Sequence, residues 1–290
     1  MSKIAVLGSA GMAGSMITSY LKKQDHYVTG FNRTPITGYY DKLFDFKNDY
    51  QVKLLTEWIR VNQPDYIINC IGYLVKESQN NPAEGVYLNS YLPHWLELIT
   101  KNTNTKIIHL STDCIFNGKA WWYEETNLPT ETNYYGKTKA LGELNNNKDL
   151  TLRQSIIGPA PQKKNTGLFN WIYNTKGKVD GYRASIWNGI TTLELAKQIH
   201  NIISLSENLS GIYHLIPNSQ KIISKFSLLQ KIKNIFNLPV VVNEVTGKSE
   251  HKILKNTRLE DYKCFIPDYN VQLQELKEYI DSNNIVIGIL

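Results

Sequence analysis

The chain has 290 residues, with 32 Lys and Arg against 26 Asp and Glu, a formal charge of +6, and 42% apolar content. That length suits one large domain, or a nucleotide domain with a smaller partner. No apolar run is long enough to span a bilayer; with Met1 leading straight into a strand no secretory leader is expected, nor, from the spread of lysines, a nucleic-acid module.

The first element expected is a short buried strand, Lys3 to Leu7, running into Gly8-Ser9-Ala10-Gly11-Met12-Ala13-Gly14. A helix with apolar residues at helical spacing follows from Gly11 to Lys23. Three spaced glycines mean little alone, but between a strand and a helix they allow a tight turn and close backbone approach to a pyrophosphate. The helix N-terminus then offers unpaired N–H groups to that anion. Gly8, Ser9, Gly11, Met12 and Gly14 are therefore candidate cofactor residues.

Further strands are expected over Tyr27–Phe31, Tyr66–Cys70, Lys106–Ser111 and Leu150–Arg153. Helices are expected between them over Tyr50–Val61, Val86–Lys101 and Tyr135–Glu143. Such alternation points to an α/β fold, a Rossmann-type doubly wound parallel sheet covered on both faces. The second strand ends at Asn32-Arg33, where an acidic residue would grip a ribose 2′-hydroxyl and repel a 2′-phosphate. A cation stands there instead, so NADPH is favoured, with NADH left open. Asp45-Phe46 suits the adenine edge, and Cys70-Ile71-Gly72 would line the cofactor.

Leu110-Ser111-Thr112-Asp113-Cys114-Ile115-Phe116 ends the following strand, and Tyr135-Gly136-Lys137-Thr138-Lys139 comes about two dozen residues later. A spacing of four puts Tyr135 and Lys139 on one helical face. A lysine charge beside a phenol favours the phenolate and brings its proton exchange nearer neutrality. Lys139 can also bond the nicotinamide ribose, and the Thr112 hydroxyl can hold a substrate oxygen. His109, by alternation, points away from Thr112. Cys70, Cys114 and Cys264 are odd in number, far apart and without metal-ligand spacing. A reducing cytoplasmic location and no metal site are expected.

These motifs resemble those of an extended short-chain dehydrogenase/reductase of the dTDP-4-dehydrorhamnose reductase branch. The shared pieces are Gly8-x-x-Gly11-x-x-Gly14, Ser111 to Phe116, Tyr135 to Glu143, Leu152 to Gly158, Gly189 to Ala196 and Gly211 to Leu215. The resemblance implies a catalytic trio of Thr112, Tyr135 and Lys139, and reduction of the 4-keto group of a nucleotide-activated 6-deoxyhexose. It also implies a NADP-binding domain over 1–152 with a returning segment at about 186–215. A smaller α/β substrate domain would come from 153–185 and 216–290. Val75 and Lys76 would face the sugar, and Asn89 would support the site's backbone. Arg183, Trp187 and Asn188 would contact nucleotide or phosphate.

The chain departs from the family where an aromatic is replaced by Ile156 and a Pro-Thr by Ile190-Thr191, so UDP or dTDP, and an acetamido sugar, all stay open. Cys114 stands where related epimerase/reductases carry a cysteine acting with a distant His or Lys, so an alternative is a 3-epimerase/4-reductase using Cys114 and Lys176. Another is a non-catalytic NADP-binding regulatory subunit, since the methionine adenosyltransferase β subunit shares the fold. A 4,6-dehydratase is disfavoured by Cys114 at the position expected to hold Glu. A homodimer is left open, and the C-terminal run Ile285 to Leu290 suits an edge strand or an oligomer contact.

Overall fold

The computed structural model describes residues 1–33, 42–161, 167–205, 209–247, 249–263, 265–285 and 287. The chain opens with β1 (Lys3–Leu7), β2 (Tyr27–Asn32), β3 (Lys42–Leu43), β4 (Tyr66–Asn69), β5 (Lys106–Leu110) and β6 (Leu150–Arg153). It continues through β7 (Ile156–Ile157), β8 (Gly177–Tyr182), β9 (Ser185–Trp187) and β10 (Ile190–Thr191) before β11 (Gly211–His214). One seven-stranded sheet has the order β11-β6-β5-β4-β1-β2-β3, with every pairing parallel. Building reverses direction between β1 and β4. Ligands of open α/β sheets bind at the carboxyl ends of strands at such a reversal.

The strands read as continuous apolar runs because both faces are buried. In β1, Ile4 and Val6 join one core layer while Ala5 and Leu7 join the other. Ile68 and Ile108 follow the first pair, Ile67 and Ile107 the second. Helices α1 (Met12–Lys22), α2 (Asp49–Asn62), α3 (Val75–Asn80), α4 (Pro82–Val86), α5 (Leu92–Thr100) and α6 (Tyr134–Leu141) come from the first half. The single helix expected over 86–101 is instead α4, a π turn at Tyr87–Tyr91, and α5. Pro93 explains the break: it has no N–H for the carbonyl of Asn89, four residues back, and crowds it.

The second half supplies α7 (Gly167–Asn174), α8 (Thr192–Ser204), α9 (Lys225–Ile235) and α10 (Tyr269–Asn283), with β12 (Ile223–Ser224), β13 (Val240–Val245) and β14 (Glu250–His251). β8 pairs with β13, and β9 lies between β12 and β14. The segment expected to return at 186–215 thus begins in a small sheet and rejoins the large one through β11. α10 lies against α8 and β10, where Leu273, Leu276 and Ile280 enter the main core. Ile285 and Ile287 pack on that core. The rest of the C-terminal run, Val286 and Gly288 to Leu290, lies outside the described residues, as does Cys264.

Candidate functional site

Gly8 leaves β1 at φ +81°, which disfavours any residue with a Cβ. Its N–H donates to the Phe31 carbonyl at 2.7 Å. Gly14 is packed against it, since a Cβ there would lie 2.1 Å from the Gly8 carbonyl oxygen. Gly11 caps α1 in an extended conformation with no side-chain acceptor, so the first-turn N–H groups are left for an anion. Asn32 Nδ2 donates to Ser9 Oγ at 3.1 Å and ties the turn to the end of β2. The glycine cradle and uncapped helix end fit a dinucleotide pyrophosphate.

A cleft of about 200 Å³ opens beside the turn. Of the expected cofactor residues, Gly8, Gly11, Asn32, Arg33, Asp45, Phe46, Cys70, Ile71 and Gly72 line it. Ser9, Met12, Gly14, Tyr135 and Lys139 do not; the Met12 Cε faces α7, 2.5 Å from where a Cβ on Gly167 would stand. Tyr73 also lines the cleft, which the sequence reading missed. Its phenol donates to Glu84, and the same carboxylate takes Lys47 Nζ at 3.2 Å. Burial pushes the Cys70 thiol up to about 12, so it is a neutral wall.

Thr112 leaves β5 extended and caps the short turn Asp113–Ile115, accepting from the Cys114 N–H at 3.1 Å. Tyr135 faces the Thr112 side chain. Asn133 caps α6 by accepting from the Gly136 N–H at 2.8 Å. A Cβ on Gly136 would lie 2.6 Å from the Cys114 carbonyl oxygen, so glycine lets α6 sit directly on the Thr112 turn. One helical turn beyond Tyr135, Lys139 Nζ donates to the Leu110 carbonyl at 2.6 Å.

Burial raises the Tyr135 phenol above its ordinary value; Cys114 and Asp113 add to this and Thr112 opposes it. The lysine-driven lowering expected from the sequence is not what the free site shows. Burial instead pulls Lys139 down to about 8, against the pull of Glu143 and Cys70. A phenol held protonated is the form that donates a proton.

Asn89, placed by the π turn, is fully buried and cross-links three elements. Its Oδ1 accepts from the Tyr73 N–H at 2.8 Å, and its Nδ2 donates to Thr138 Oγ1 at 3.0 Å. It thereby holds the wall of the cofactor cleft against α6. Beneath lies His109, whose Nε2 is 3.4 Å from Lys139 Nζ. His109 reaches Lys139, a contact that strand alternation alone could not reveal.

Beside the Asp113–Ile115 turn, a second cavity of about 250 Å³ is lined by Asp113, Cys114, Ser155, Trp187, Lys225 and Lys252, among others. Burial raises both Asp113 and Cys114, the thiol to about 12. Burial lowers Lys252, but Cys114, Glu131 and Asp113 outweigh it and leave this ammonium raised. Its partner is Glu131 at 3.1 Å.

Several expected substrate residues lie elsewhere. Lys176 is exposed at the entry to β8 and does not line the cavity of Cys114; Lys252 stands there instead. Arg183 is exposed and paired with Glu244 at 3.1 Å. Asn188 spends its amide on Leu254, donating to the carbonyl at 2.6 Å and accepting from the N–H at 3.1 Å. Val75 and Lys76 are exposed at the start of α3 and line neither cavity. Trp187 does line the second cavity, its Nε1–H donating to Ser155 Oγ at 2.8 Å. Among the described residues, no cluster of three metal-binding side chains occurs and no helix is long and apolar enough to cross a membrane.

The chain is 29% identical over 143 residues to a probable low-salt glycan biosynthesis reductase of Haloferax volcanii, a stretch covering 48% of this chain and 46% of that one. It thus spans about half the length of that relative. It is 24% identical over 248 residues to the methionine adenosyltransferase 2 subunit beta of Xenopus tropicalis, covering 81% of this chain and 72% of that one. Its fold resembles the crystal structure of dTDP-4-dehydrorhamnose reductase from Bacillus anthracis in complex with NADP. That likeness has a TM-score of 0.79 at 20% identity, over 96% of this chain and 99% of that one. The family described as the RmlD substrate binding domain matches residues 2–255, and with its parallel sheet, glycine turn and Thr-Tyr-Lys cluster the chain belongs to that family.

Proposed function

We propose that this protein uses NADPH to reduce the 4-keto group of a nucleotide-activated 6-deoxyhexose in deoxysugar or glycan synthesis. The observation that carries this reading is the cluster of Tyr135 beside Thr112 with Lys139 one helical turn on, Lys139 facing Gly72 of the glycine-cradled cleft and Asp113-Cys114, next in the chain to Thr112, lining the Trp187–Lys252 cavity. The family membership supports it, as do the reductase named in Haloferax volcanii and the NADP in the Bacillus anthracis structure.

Bound in the first cleft, the dinucleotide would supply a hydride to the sugar carbonyl carbon. Tyr135 gives its proton to the carbonyl oxygen as negative charge grows there, and the Thr112 hydroxyl orients that oxygen. Lys139 holds the cofactor ribose, and Asn89 keeps the Tyr73 backbone and α6 in place around it. Arg33 meets the 2′-phosphate that distinguishes NADPH. The segments after Arg153 act as the substrate domain, presenting Trp187 to a sugar or base.

The test is product mass spectrometry after incubation with NADPH and a panel of UDP- and dTDP-4-keto-6-deoxysugars in D2O, including an acetamido sugar. A product two hydrogens heavier is expected, and Tyr135→Phe should abolish it with NADPH binding nearly intact. Near-normal turnover in that variant would reject Tyr135 as the acid. Cys114 and Lys252 sharing one cavity favours 3-epimerisation as the second reading, which deuterium on ring carbon would establish. Tight NADPH binding without any product would instead favour a non-catalytic NADP-binding regulatory subunit.

A further inference from the structure

Three buried polar side chains form a line beneath the cofactor cleft: Asn69 at the end of β4, His109 in β5 and Lys139 in α6, none more than 5% exposed. The Ile71 N–H donates to Asn69 Oδ1 at 3.1 Å and so fixes the amide's orientation. Asn69 Nδ2 therefore faces His109 Nδ1, 3.1 Å away, as a donor, and Nδ1 must accept. A neutral imidazole has one donor and one acceptor nitrogen, so its proton sits on Nε2. That nitrogen is the one 3.4 Å from Lys139 Nζ. Burial, with the charges of Lys139 and His94 adding, keeps the ring neutral.

Around Lys139 Nζ stand the Leu110 carbonyl at 2.6 Å and the His109 ring, with Glu143 and Cys70 as the charged or titratable groups beyond. Its remaining side faces Gly72, where a Cβ would lie 4.0 Å from Nζ. Gly72 lines the cofactor cleft.

We infer that His109 is a positioning residue for Lys139: locked by Asn69 with its proton on Nε2, it denies the lysine an acceptor and keeps the other ammonium N–H bonds turned toward a dinucleotide hydroxyl on the Gly72 side. The opposite tautomer would accept one of those N–H bonds and draw the lysine down into the sheet. The inference rests on the dinucleotide reading of the first cleft.

The tautomer is read directly by two-bond ¹H–¹⁵N correlation NMR of the histidine-labelled protein at pH 7, with His109 assigned from the signal lost in His109→Gln. The neutral Nε2–H pattern is expected; an Nδ1–H pattern or an imidazolium overturns the inference. Asn69→Asp then places an acceptor against Nδ1 and should move the proton there. NADPH affinity, followed by cofactor fluorescence, should fall about tenfold, the worth of one charge-assisted hydrogen bond. A reversed tautomer with unchanged affinity would overturn the positioning role. Wild-type protein that shows the Nε2–H pattern yet binds no NADPH would overturn the dinucleotide reading and leave the Asn69–His109 lock standing.

Discussion

Glu143→Gln tests how the floor of the site is held. Glu143 ends the α6 segment and receives Arg153 Nε and Nη2, both at 2.8 Å, while Ser111 Oγ donates to its Oε1 at 2.6 Å. Arg153 is 2% exposed and Glu143 5%, so water cannot replace either partner. Charges 2.8 Å apart attract by about 6 kcal/mol at an effective dielectric near 20. Much of this offsets desolvation, but removing one partner strands the other, at a cost of about 3–5 kcal/mol. Urea unfolding of Glu143→Gln should show a loss in that range, a large share of a typical domain's stability. Arg153→Met should cost more, because Glu125 is buried nearby and the guanidinium also bonds the Glu125 carbonyl at 3.1 Å. The double variant Glu143→Leu/Arg153→Met should recover much of the loss, since both desolvation costs disappear. A Glu143→Gln loss below about 1 kcal/mol would refute the picture of an isolated buried pair.

Gly14→Ala should weaken NADPH binding more than tenfold in a fluorescence titration, because its Cβ would force the Gly8 carbonyl out of the turn; unchanged affinity would show that the turn yields freely. Arg33→Ala should weaken NADPH much more than NADH, and equal losses would remove its phosphate role. His214 is buried and held below its ordinary value of 6.5, chiefly by burial, so the unfolded chain binds its proton first as pH falls. Wild-type stability should therefore drop below about pH 6.5 by about 1.4 kcal/mol per pH unit relative to His214→Asn in parallel urea melts. Parallel slopes for the two proteins would contradict a neutral buried ring.

The large sheet was legible because its strands are buried on both faces, so unbroken runs such as Ile67-Ile68 and Ile107-Ile108 could be nothing else. The cofactor turn and the Thr112–Tyr135–Lys139 spacing were legible for a related reason: each lies within one strand-turn-helix or one helical face, where local geometry follows from sequence distance. The π turn was not. Apolar periodicity runs through it from α4 to α5, and Pro93 was the one available signal, pointing back four residues to Asn89. That bulge is what brings the Asn89 amide between Tyr73 and Thr138.

The second cavity was illegible because pairings of two residues place its charges. Glu250 and His251 pair with Ser185 and Ile186, and the Asn188 amide clasps Leu254, setting Lys252 opposite Cys114. No period or motif encodes so short a match, and order along the chain pointed to Lys176 instead. The exchange matters chemically. Asp113, Cys114 and Glu131 keep Lys252 charged, while burial and Asp113 keep the Cys114 thiol protonated. Both shifts run against either group taking a proton from a sugar carbon. The proposed reduction asks only that Tyr135 give a proton, and a raised phenol suits that role. Epimerisation would need the thiol lowered first, so the directions of these shifts lean toward the reductase reading.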